Sequence, residues 1–494
     1  MLTLTQQDTW PERQTLLAAL LQILPSKDVL YEEEEVRPYE CDGLTAYRQL
    51  PGVVCLPDTF EQARAILRLC SEMHVPVVAR GAGTGLSGGA LPLSHGVVLS
   101  LARFNRIMEL DPTNRIARVE PGVRNLAISE AVSPYGLYYA PDPSSQIACT
   151  IGGNVAENSG GVHCLKYGLT VHNVLGLKML TMDGELIEVG GGALDAPGYD
   201  LLALLHGSEG LLGVIVEITV KLLPKPDRAQ VALAAFDSVS RAGDAVAAIF
   251  AAGIIPAGLE MMDNLAIRAA EDYVHAGYPV DAAALLLCEV DGENAEVSEQ
   301  IFQVRELLLK AGATEVRTAR DETERLKFWA GRKAAFPAVG RIAPDYYCMD
   351  GTIPRHRLAE VLARIGELSK EFQLQVANVF HAGDGNLHPL ILYDANKPGE
   401  LARAEQFGAK ILEICISVGG TITGEHGVGV EKLTPMCLQF APAELAQFHE
   451  IKHAFDPRDL LNPGKAVPTL HRCAEFGAMH VHQGKLRFPE LDRF

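Results

Sequence analysis

Two histidines and a glutamate in the second half of the chain have the side chains of a catalytic metal site. His381 and His388 flank a Gly-Asp-Gly-Asn turn, which predicts two strand ends of a hairpin across which the imidazoles could converge. Glu425 lies downstream in the glycine-rich segment 419–429. Two imidazoles and one carboxylate with a fourth position open form a catalytic zinc arrangement. Because hydrogen-bonded turn histidines produce the same pattern, the residues alone leave both interpretations open.

A glycine-rich stretch in the first half has the composition of a diphosphate-binding loop. Five of the eleven residues 80–90 are glycine, and they follow an apolar run, 75–79, that predicts a buried strand. Glycine allows positive φ angles and close backbone approach, so successive N–H groups can face one anion. Gly89 and Pro92 precede another predicted strand, and no helix opens directly after the loop. This predicts a strand–loop–strand diphosphate site outside the Rossmann and P-loop classes, with a flexible surface loop as the alternative.

The composition is that of an acidic globular protein with several domains. The 494 residues are 48% hydrophobic and 21% charged, which predicts two or three domains. The net charge of −19 argues against nucleic acid or anionic membrane as a direct partner. No apolar run reaches the roughly 20 residues of a membrane span, and the first residues lack the features of a signal peptide, so we expect a cytoplasmic location. The ten cysteines form no Cys-x-x-Cys pair, so neither an iron–sulfur cluster nor structural zinc is expected in this chain.

The order of strand-like and helix-like segments predicts an α+β chain with a boundary at Pro224-Lys-Pro226. Residues 1–50 predict an N-terminal helical segment, and residues 51–226 alternate short strands with helices. Between 229 and 440, strand-like runs alternate with long Ala/Leu/Glu-rich helices, which predicts an antiparallel sheet covered by helices on one face. Residues 441–494 predict a C-terminal helical segment that packs back on the first domain.

Several motifs in a fixed order resemble those of one flavoprotein family. Besides the loop 80–90, they are Pro141-Asp-Pro-Ser-Ser145, the segments 149–154 and 158–161, and the segment 207–215. From about residue 53 to residue 465, the chain resembles FAD-dependent oxidases of the vanillyl-alcohol oxidase type, most closely the FAD-binding subunits of bacterial glycolate oxidases. The resemblance implies an FAD-binding domain of two subdomains over 51–226 and a substrate-binding cap domain over 229–440.

The same resemblance assigns roles to individual residues. His381, His388 and Glu425 match the family's metal ligands, with zinc expected and manganese or iron as alternatives. His426 matches its general base, a role that suits the ordinary pKa of histidine. Arg332 matches its carboxylate-binding arginine, although a surface salt bridge is the commoner role of an isolated arginine. FAD contacts are implied for Arg80, Gly81, Gly83, Thr84, Gly85, Leu86, Ser87, Gly88, Pro141, Asp142, Ser145, Thr150, Gly152, Gly153, Asn154, Asn158, Gly160, Glu209, Gly210, Gly213, Ile215 and Asn462, the last of which equally fits a plain Asn-Pro-Gly turn.

The implied reaction is oxidation of a D-2-hydroxy acid to the 2-oxo acid, with hydride passing from Cα to flavin N5. Relatives that take a longer diacid carry a lysine just before the position of Asp350; the run 346–350 has none, which favours glycolate or D-lactate. The loop 80–90 contains no histidine, so we expect FAD to be bound non-covalently.

The resemblance also implies partners. Because the chain holds no cluster motif, electrons are expected to leave through an iron–sulfur subunit and a second FAD-type subunit, and any membrane association would be made through them. Two alternatives remain open at this point: a stand-alone D-lactate dehydrogenase of the same family, and a non-catalytic flavoprotein subunit of an assembly.

Overall fold

The computed structural model describes residues 10, 12–192 and 198–469, so the ends of the predicted terminal segments, 1–9 and 470–494, lie outside the described residues. None of the helices in these ranges combines the length and apolar character needed to cross a membrane. The α-helices are, in chain order, α1 (Arg13–Ile23), α2 (Glu33–Val36), α3 (Phe60–Glu72), α4 (Asn125–Val132), α5 (Ile151–Glu157), α6 (Cys164–Tyr167), α7 (Leu201–Leu205), α8 (Val239–Ala251), α9 (Asn264–Val274), α10 (Asn294–Lys310), α11 (Glu322–Lys333), α12 (Ala335–Val339), α13 (Leu358–Phe372), α14 (Glu400–Ser417), α15 (Leu433–Gln439) and α16 (Pro442–Phe455).

The strands of the same ranges form four sheets. They are β1 (Val29–Leu30), β2 (Val53–Cys55), β3 (Val77–Arg80), β4 (Val97–Ser100), β5 (Ile107–Asp111), β6 (Ile116–Val119), β7 (Leu137–Tyr138), β8 (Val174–Leu180), β9 (Leu186–Gly190), β10 (Val214–Lys221), β11 (Leu223–Pro224), β12 (Arg228–Phe236), β13 (Gly258–Asp263), β14 (Ala284–Gly292), β15 (Glu315–Thr318), β16 (Asp345–Cys348), β17 (Val376–His381) and β18 (Asn386–Tyr393). Single 3₁₀ turns occur at Ser26–Asp28, Arg37–Tyr39, Ser133–Tyr135, Thr170–His172 and Arg355–Arg357.

The first sheet anchors both ends of the glycine-rich loop. Its order is β1-β2-β4-β3, and β2 and β3 both pair with β4 in parallel. The loop from residue 81 to residue 96 joins β3 to β4 without an α-helix, so the path is the predicted strand–loop–strand one. Helix α3 covers this sheet. The hydroxyl of Thr59 caps its first turn by accepting from Gln62 N–H, and Ile66 and Leu67 are buried against the strands.

A five-stranded antiparallel sheet completes the first half of the chain. Its order is β5-β6-β10-β8-β9. Strands β8 and β9 form the hairpin predicted at Asp183-Gly184, where Gly184 adopts a positive φ of 71°. Helices α4 and α5 pack on the buried side of this sheet in one apolar core. Helix α5 therefore holds the predicted motif 149–154 against both the sheet and the glycine-rich loop.

The second half contains a seven-stranded antiparallel sheet in the order β15-β12-β14-β13-β17-β18-β16. Successive residues of β14 alternate between two cores: Leu286 packs with α8, α10, α13 and α14, whereas Leu287 packs with α9, α11 and α12. Helices thus cover both faces of the sheet, and the prediction of one covered face is wrong. The second layer escapes detection because α11 is mostly polar, and buried residues such as Phe328 and Trp329 are too few to produce a helical period.

The chain returns to the first sheet after α16, as predicted, within the described residues up to 469. Val77 N–H donates to the Leu460 carbonyl at 2.7 Å, and Asn462 N–H donates to the Val77 carbonyl at 2.8 Å. Residues 460–462 therefore lie beside β3 as a short parallel bridge. Lys452 of α16 also holds the returning chain against the first half of the molecule, because it donates to the Leu211 carbonyl at 2.9 Å.

Replacing Leu287 by Ala tests the core on the α9 face of the large sheet. Leu287 is fully buried in a central strand, so the truncation leaves a cavity and should lower the free energy of unfolding by about 2–5 kcal/mol. Urea unfolding followed by circular dichroism measures this change. Leu326→Ala is the control, because Leu326 on α11 is 53% exposed and should shift stability by less than about 0.5 kcal/mol. Equal effects of the two substitutions would contradict the described packing.

Candidate active site

The hairpin of β17 and β18 brings two imidazoles to one face of the large sheet. His381 ends β17, and His388 lies opposite Val379, two residues earlier on that strand. Side chains two residues apart along a strand project from the same face. The imidazoles of His381 and His388 therefore meet diagonally, with ring centroids 5.1 Å apart and ring planes at 84°. The local sequence folds this way because Gly385, at a φ of 84°, permits the tight turn between the strands.

Glu425 joins the two histidines from a separate loop. Its Oε1 lies 3.3 Å from His381 Nε2 and 3.2 Å from His388 Nε2. One donor atom from each residue lies within 4.8 Å of the other two. His388 Nε2 is buried and, despite its distance of 3.2 Å from Glu425 Oε1, makes no well-aligned hydrogen bond within the described part of the chain. Two imidazole nitrogens and a carboxylate oxygen at this spacing are a donor set that fits a divalent cation.

Glu260 supports this group from behind and was missed in the sequence. It pairs with His381 across β13 and β17, and its Oε1 accepts from His381 Nδ1 at 2.7 Å. Burial alone would lower the pKa of His381, but the carboxylates of Glu260 and Glu425 outweigh it and raise that pKa well above the usual value. A carboxylate on the outer nitrogen of a histidine fixes the ring and directs the other nitrogen inward. The sequence signal for Glu260 is a single acid within the apolar run 258–262.

Arg332 is held by the same carboxylate. Its Nη2 lies 2.6 Å from Glu260 Oε2, and the side chain is 2% exposed on α11. Its Nε–H has no acceptor among the described residues. The guanidinium therefore forms a buried ion pair and has an Nε–H without an acceptor, rather than lying on a surface as the alternative interpretation supposed.

Asp350 organises the loop that carries Glu425 and His426. Its carboxylate, fully buried, accepts from the backbone N–H groups of Gly424 at 3.1 Å and His426 at 2.8 Å. Lys432 Nζ lies 3.3 Å from it and also donates to the Gly427 carbonyl at 2.9 Å. Burial would raise the pKa of Asp350, but His426, Lys432 and His388 hold that pKa well below its usual range. Neither Asp350 nor Lys432 was predicted as a site residue.

His426 lies flat against one of the histidines. Its ring is 4.9 Å from the His388 ring with only 2° between the planes. Burial lowers the pKa of His426 to about 4, and its Nδ1 has no hydrogen-bond partner within the described chain. A neutral imidazole with a free ring nitrogen can accept a proton.

One cavity of about 660 Å³ joins the glycine-rich loop to this histidine group. His388, Glu425 and His426 line it from the cap side, together with Phe336 and Tyr346. On the opposite side it is lined by most of the residues for which FAD contacts were predicted, namely Arg80, Gly81, Gly83, Thr84, Gly85, Leu86, Ser145, Thr150, Gly152, Gly153, Asn154, Glu209, Gly210, Gly213 and Ile215.

The remaining predicted FAD contacts are not among the residues that line this cavity. They are Ser87, Gly88, Pro141, Asp142, Asn158, Gly160 and Asn462. Several of them have structural partners instead. Asp142 accepts from His163 Nδ1 at 2.8 Å, Asn158 accepts from Val171 N–H at 3.0 Å, and Asn462 donates to the Glu209 carbonyl at 2.6 Å.

The glycines on this side allow close packing that any side chain would prevent. A Cβ at Gly81 would lie 2.2 Å from Thr150 Oγ1, and Gly83 has a φ of 69° and would place a Cβ 2.2 Å from the Arg80 guanidinium. Thr150 caps α5 by accepting from Gly153 N–H at 3.4 Å. Closely packed glycine backbone along this cavity fits a ligand that carries a diphosphate.

Glu209 links the two sides of the cavity. Its carboxylate accepts from Val428 N–H and Gly429 N–H, each at 2.7 Å, just beyond His426. Burial raises the pKa of Glu209, against these two bonds and the charges of Lys432 and Lys465. Glu157, also buried and lining the cavity, has its pKa raised well above the usual value by burial and by Glu209. Neither Glu157 nor Lys465 was predicted as a site residue.

The fold of the chain is similar to those of two solved structures. It superposes on 4-ethylphenol oxidase from Gulosibacter chungangensis with a TM-score of 0.79, at 17% identity and covering 94% of this chain and 99% of that one. It superposes on p-cresol methylhydroxylase with a TM-score of 0.78, at 17% identity and covering 94% and 98%. At these identities the likeness shows the fold alone, which is an α+β fold of two domains shared with these oxidases, as predicted.

Sequence comparison then identifies the family. Residues 51–190 match the model described as FAD binding domain, and residues 225–466 match the model described as FAD linked oxidases, C-terminal domain. The chain is 66% identical over 483 residues to the glycolate oxidase subunit GlcD of Escherichia coli (strain K12), covering 98% of this chain and 97% of the relative. The protein of that name from Bacillus subtilis (strain 168) is 41% identical, covering 86% and 91%. A D-lactate dehydrogenase of Anaerostipes hadrus is 32% identical, covering 89% and 94%. The chain belongs to the FAD-linked oxidase family and is a flavin-dependent oxidoreductase.

Replacing Glu260 by Gln tests the support of the histidine group. The amide keeps the shape but removes the charge that orients His381 and pairs with Arg332, so Zn²⁺ affinity should fall about 10- to 100-fold. Competition with a chromophoric chelator measures the affinity, and circular dichroism verifies the fold. Glu299→Gln, an exposed change on α10, is the control. An unchanged affinity in the Glu260 variant would mean that the group does not hold the cation.

Proposed function

We propose that this protein oxidises a short D-2-hydroxy acid, glycolate first and D-lactate second, to the corresponding 2-oxo acid as the catalytic subunit of a glycolate-oxidising complex. One observation carries the proposal: a single cavity joins the glycine-rich loop to His388, Glu425 and His426. The high identity to relatives named glycolate oxidase subunit GlcD supports this choice of substrate.

The residues on each side of the cavity have the chemistry to hold the two groups that the reaction needs. FAD would be held by the glycine-rich loop, by the segment 149–154 at the start of α5, and by the segment 207–215. A divalent cation, with zinc as the first choice, would be held by His381, His388 and Glu425. When bound, the flavin supplies the hydride acceptor and the cation supplies a Lewis acid that eases ionisation of the substrate hydroxyl.

The protein's own residues then bind the acid and move its proton. Arg332 is not among the residues that line the cavity. Its Nε–H has no acceptor in the described chain and would donate to the substrate carboxylate, while its ion pair with Glu260 holds the guanidinium in place. His426 would accept the hydroxyl proton on a ring nitrogen. Its ring is kept in one orientation by stacking on His388, and its backbone by Asp350.

The cap side of the cavity favours a short substrate. The rings of Phe336 and Tyr346 line it 6.1 Å apart, and Phe336 contacts the His388 ring edge to face at 6.1 Å. Cys348, which lies in the segment where relatives that take diacids carry a lysine, is buried in the sheet core. The described residues of this segment therefore offer no cation of their own for a distal carboxylate, which supports glycolate or D-lactate.

The relatives named glycolate oxidase subunit support an assembly of several subunits. We propose an iron–sulfur subunit and a second FAD-type subunit as electron-transfer partners, with the complex in the cytoplasm and any membrane contact made through them. The second candidate is a stand-alone D-lactate dehydrogenase, favoured by the 32% identical relative of that name. Assays of the purified chain alone, with glycolate against D-lactate and a dye against a quinone, separate the two.

Replacing His426 by Ala tests the proposed base. Reduction of the flavin by glycolate under anaerobic conditions should slow at least about 100-fold, because proton removal loses its acceptor. The visible spectrum of bound FAD and its reduction by dithionite should be unchanged. His356→Ala, at an exposed position, is the matched control. A His426 variant that is reduced by glycolate at the rate of the unmodified protein would refute the assignment.

The mode of flavin attachment has a direct test. Because the loop 80–90 carries no histidine, FAD should leave the chain on acid precipitation and appear quantitatively in the supernatant. The absorbance of the supernatant at about 450 nm, near the flavin maximum, measures the released FAD. Flavin remaining with the washed pellet would show a covalent link and would contradict the proposed non-covalent binding.

A further inference from the structure

We infer that Lys333 is a second substrate-binding cation, which holds the carboxylate of the incoming hydroxy acid at the mouth of the cavity. This inference rests on the proposed function and deepens it. Lys333 is the residue after Arg332, yet the two side chains have opposite settings: Arg332 is buried against Glu260, whereas Lys333 is exposed and lines the cavity.

The helical path after Lys333 places it on the same helical face as a residue that contacts the histidine group. Helix α11 ends at Lys333, Ala334 keeps right-handed helical angles, and α12 begins at Ala335, so the backbone continues as a helix. Residues three and four apart then share one face. Phe336 and Pro337, the third and fourth residues after Lys333, both line the cavity as well. Because the Phe336 ring contacts the His388 ring at 6.1 Å, the Lys333 face lies on the side of the cavity where the hydroxy acid would bind.

The charges around the cavity make a cation at this point useful. Glu425 lines the cavity, and the whole chain carries a net charge of −19. An anionic substrate is therefore repelled at long range, and a local positive charge offsets this repulsion.

Two residues with a lysine or arginine side chain line the cavity within the described ranges, and Lys333 is the one that is free to bind an anion. Within the described ranges, Arg80 is the other such residue lining the cavity. It belongs to the glycine-rich loop and donates to the Cys41 carbonyl at 2.8 Å, beneath the Tyr39 ring. Lys333 Nζ has no hydrogen-bond or ion-pair partner among the described residues. It is thus available for an anion, whereas Arg332 already forms one ion pair, with Glu260.

The test is anaerobic stopped-flow reduction of the flavin by glycolate in the full-length holoprotein. Lys333→Met should weaken the apparent affinity for glycolate about threefold to tenfold, as expected for a partly solvated ion pair. The limiting rate at saturating glycolate should stay within about twofold, because the lost contact is one of binding rather than of the proton or hydride step. Lys333→Glu should weaken affinity further, and Lys333→Arg should restore it. Added salt should weaken glycolate binding to the unmodified protein more than to the Met variant.

Lys327→Met is the matched control, since Lys327 is an exposed lysine on the same helix that does not line the cavity. Lys333→Met and Lys327→Met variants with the same glycolate affinity and the same salt dependence would overturn the inference. A loss of limiting rate without a loss of affinity would overturn it too.

A second readout separates this inference from the proposed function. Oxalate, an anion that cannot be oxidised in this way, is titrated against the flavin absorption spectrum of each variant. If no hydroxy acid reduces the flavin of the unmodified protein, the proposed function fails. The oxalate titration still tests, independently, whether Lys333 binds an anion. Weaker oxalate binding in Lys333→Met than in Lys327→Met supports the anion site, and equal binding overturns it.

Discussion

The buried carboxylate of Asp350 is the interaction on which the geometry of the site depends. Backbone N–H groups of the loop 424–426 and the ammonium group of Lys432 converge on it. A buried carboxylate is costly unless all its bonds are made, and removing one partner from such a pair costs about 3–5 kcal/mol. The loop is therefore held in one conformation, which turns Glu425 towards the two imidazoles and lays the His426 ring against that of His388.

The other half of the molecule holds the same loop from the opposite side. Glu209 accepts the next two N–H groups, those of Val428 and Gly429. Gly429 approaches the glycine-rich loop so closely that a Cβ there would lie 2.1 Å from the Ser87 carbonyl. The distance between the proposed flavin site and the proposed hydroxy acid site is thus set by the Glu209 carboxylate on these two N–H groups and by the close approach of Gly429 to Ser87.

The parts of this site that could be predicted from the sequence are those encoded locally. The turn between His381 and His388 and the strand–loop–strand path around 80–90 depend on residues close in the chain. Glu260 lies 121 residues from the His381 nitrogen that it contacts, and only the register of β13 against β17 brings them together. The second helical layer was missed for a related reason: α11 is polar along most of its length and is held by a few long-range contacts, such as Trp329 Nε1–H to Glu289 at 2.5 Å. Periodicity reports local burial patterns and cannot reveal partners of this kind.

Arg332 and Lys333 show how one helix end can present two cations in different ways. Adjacent helical residues point about 100° apart, so at the end of α11 one side chain faces the sheet and the next faces the cavity. Arg332 enters the low-dielectric interior, where its guanidinium pairs with Glu260 through Nη2 and its Nε–H has no acceptor among the described residues. A lysine at position 332 would present a single point charge and could not face Glu260 and a second acceptor with fixed geometry. The exposed neighbour needs charge and reach rather than a fixed fork, and a flexible ammonium supplies these. The order Arg-Lys in this sequence therefore matches two separate physical demands, one for rigidity beside the histidine group and one for mobility at the cavity mouth.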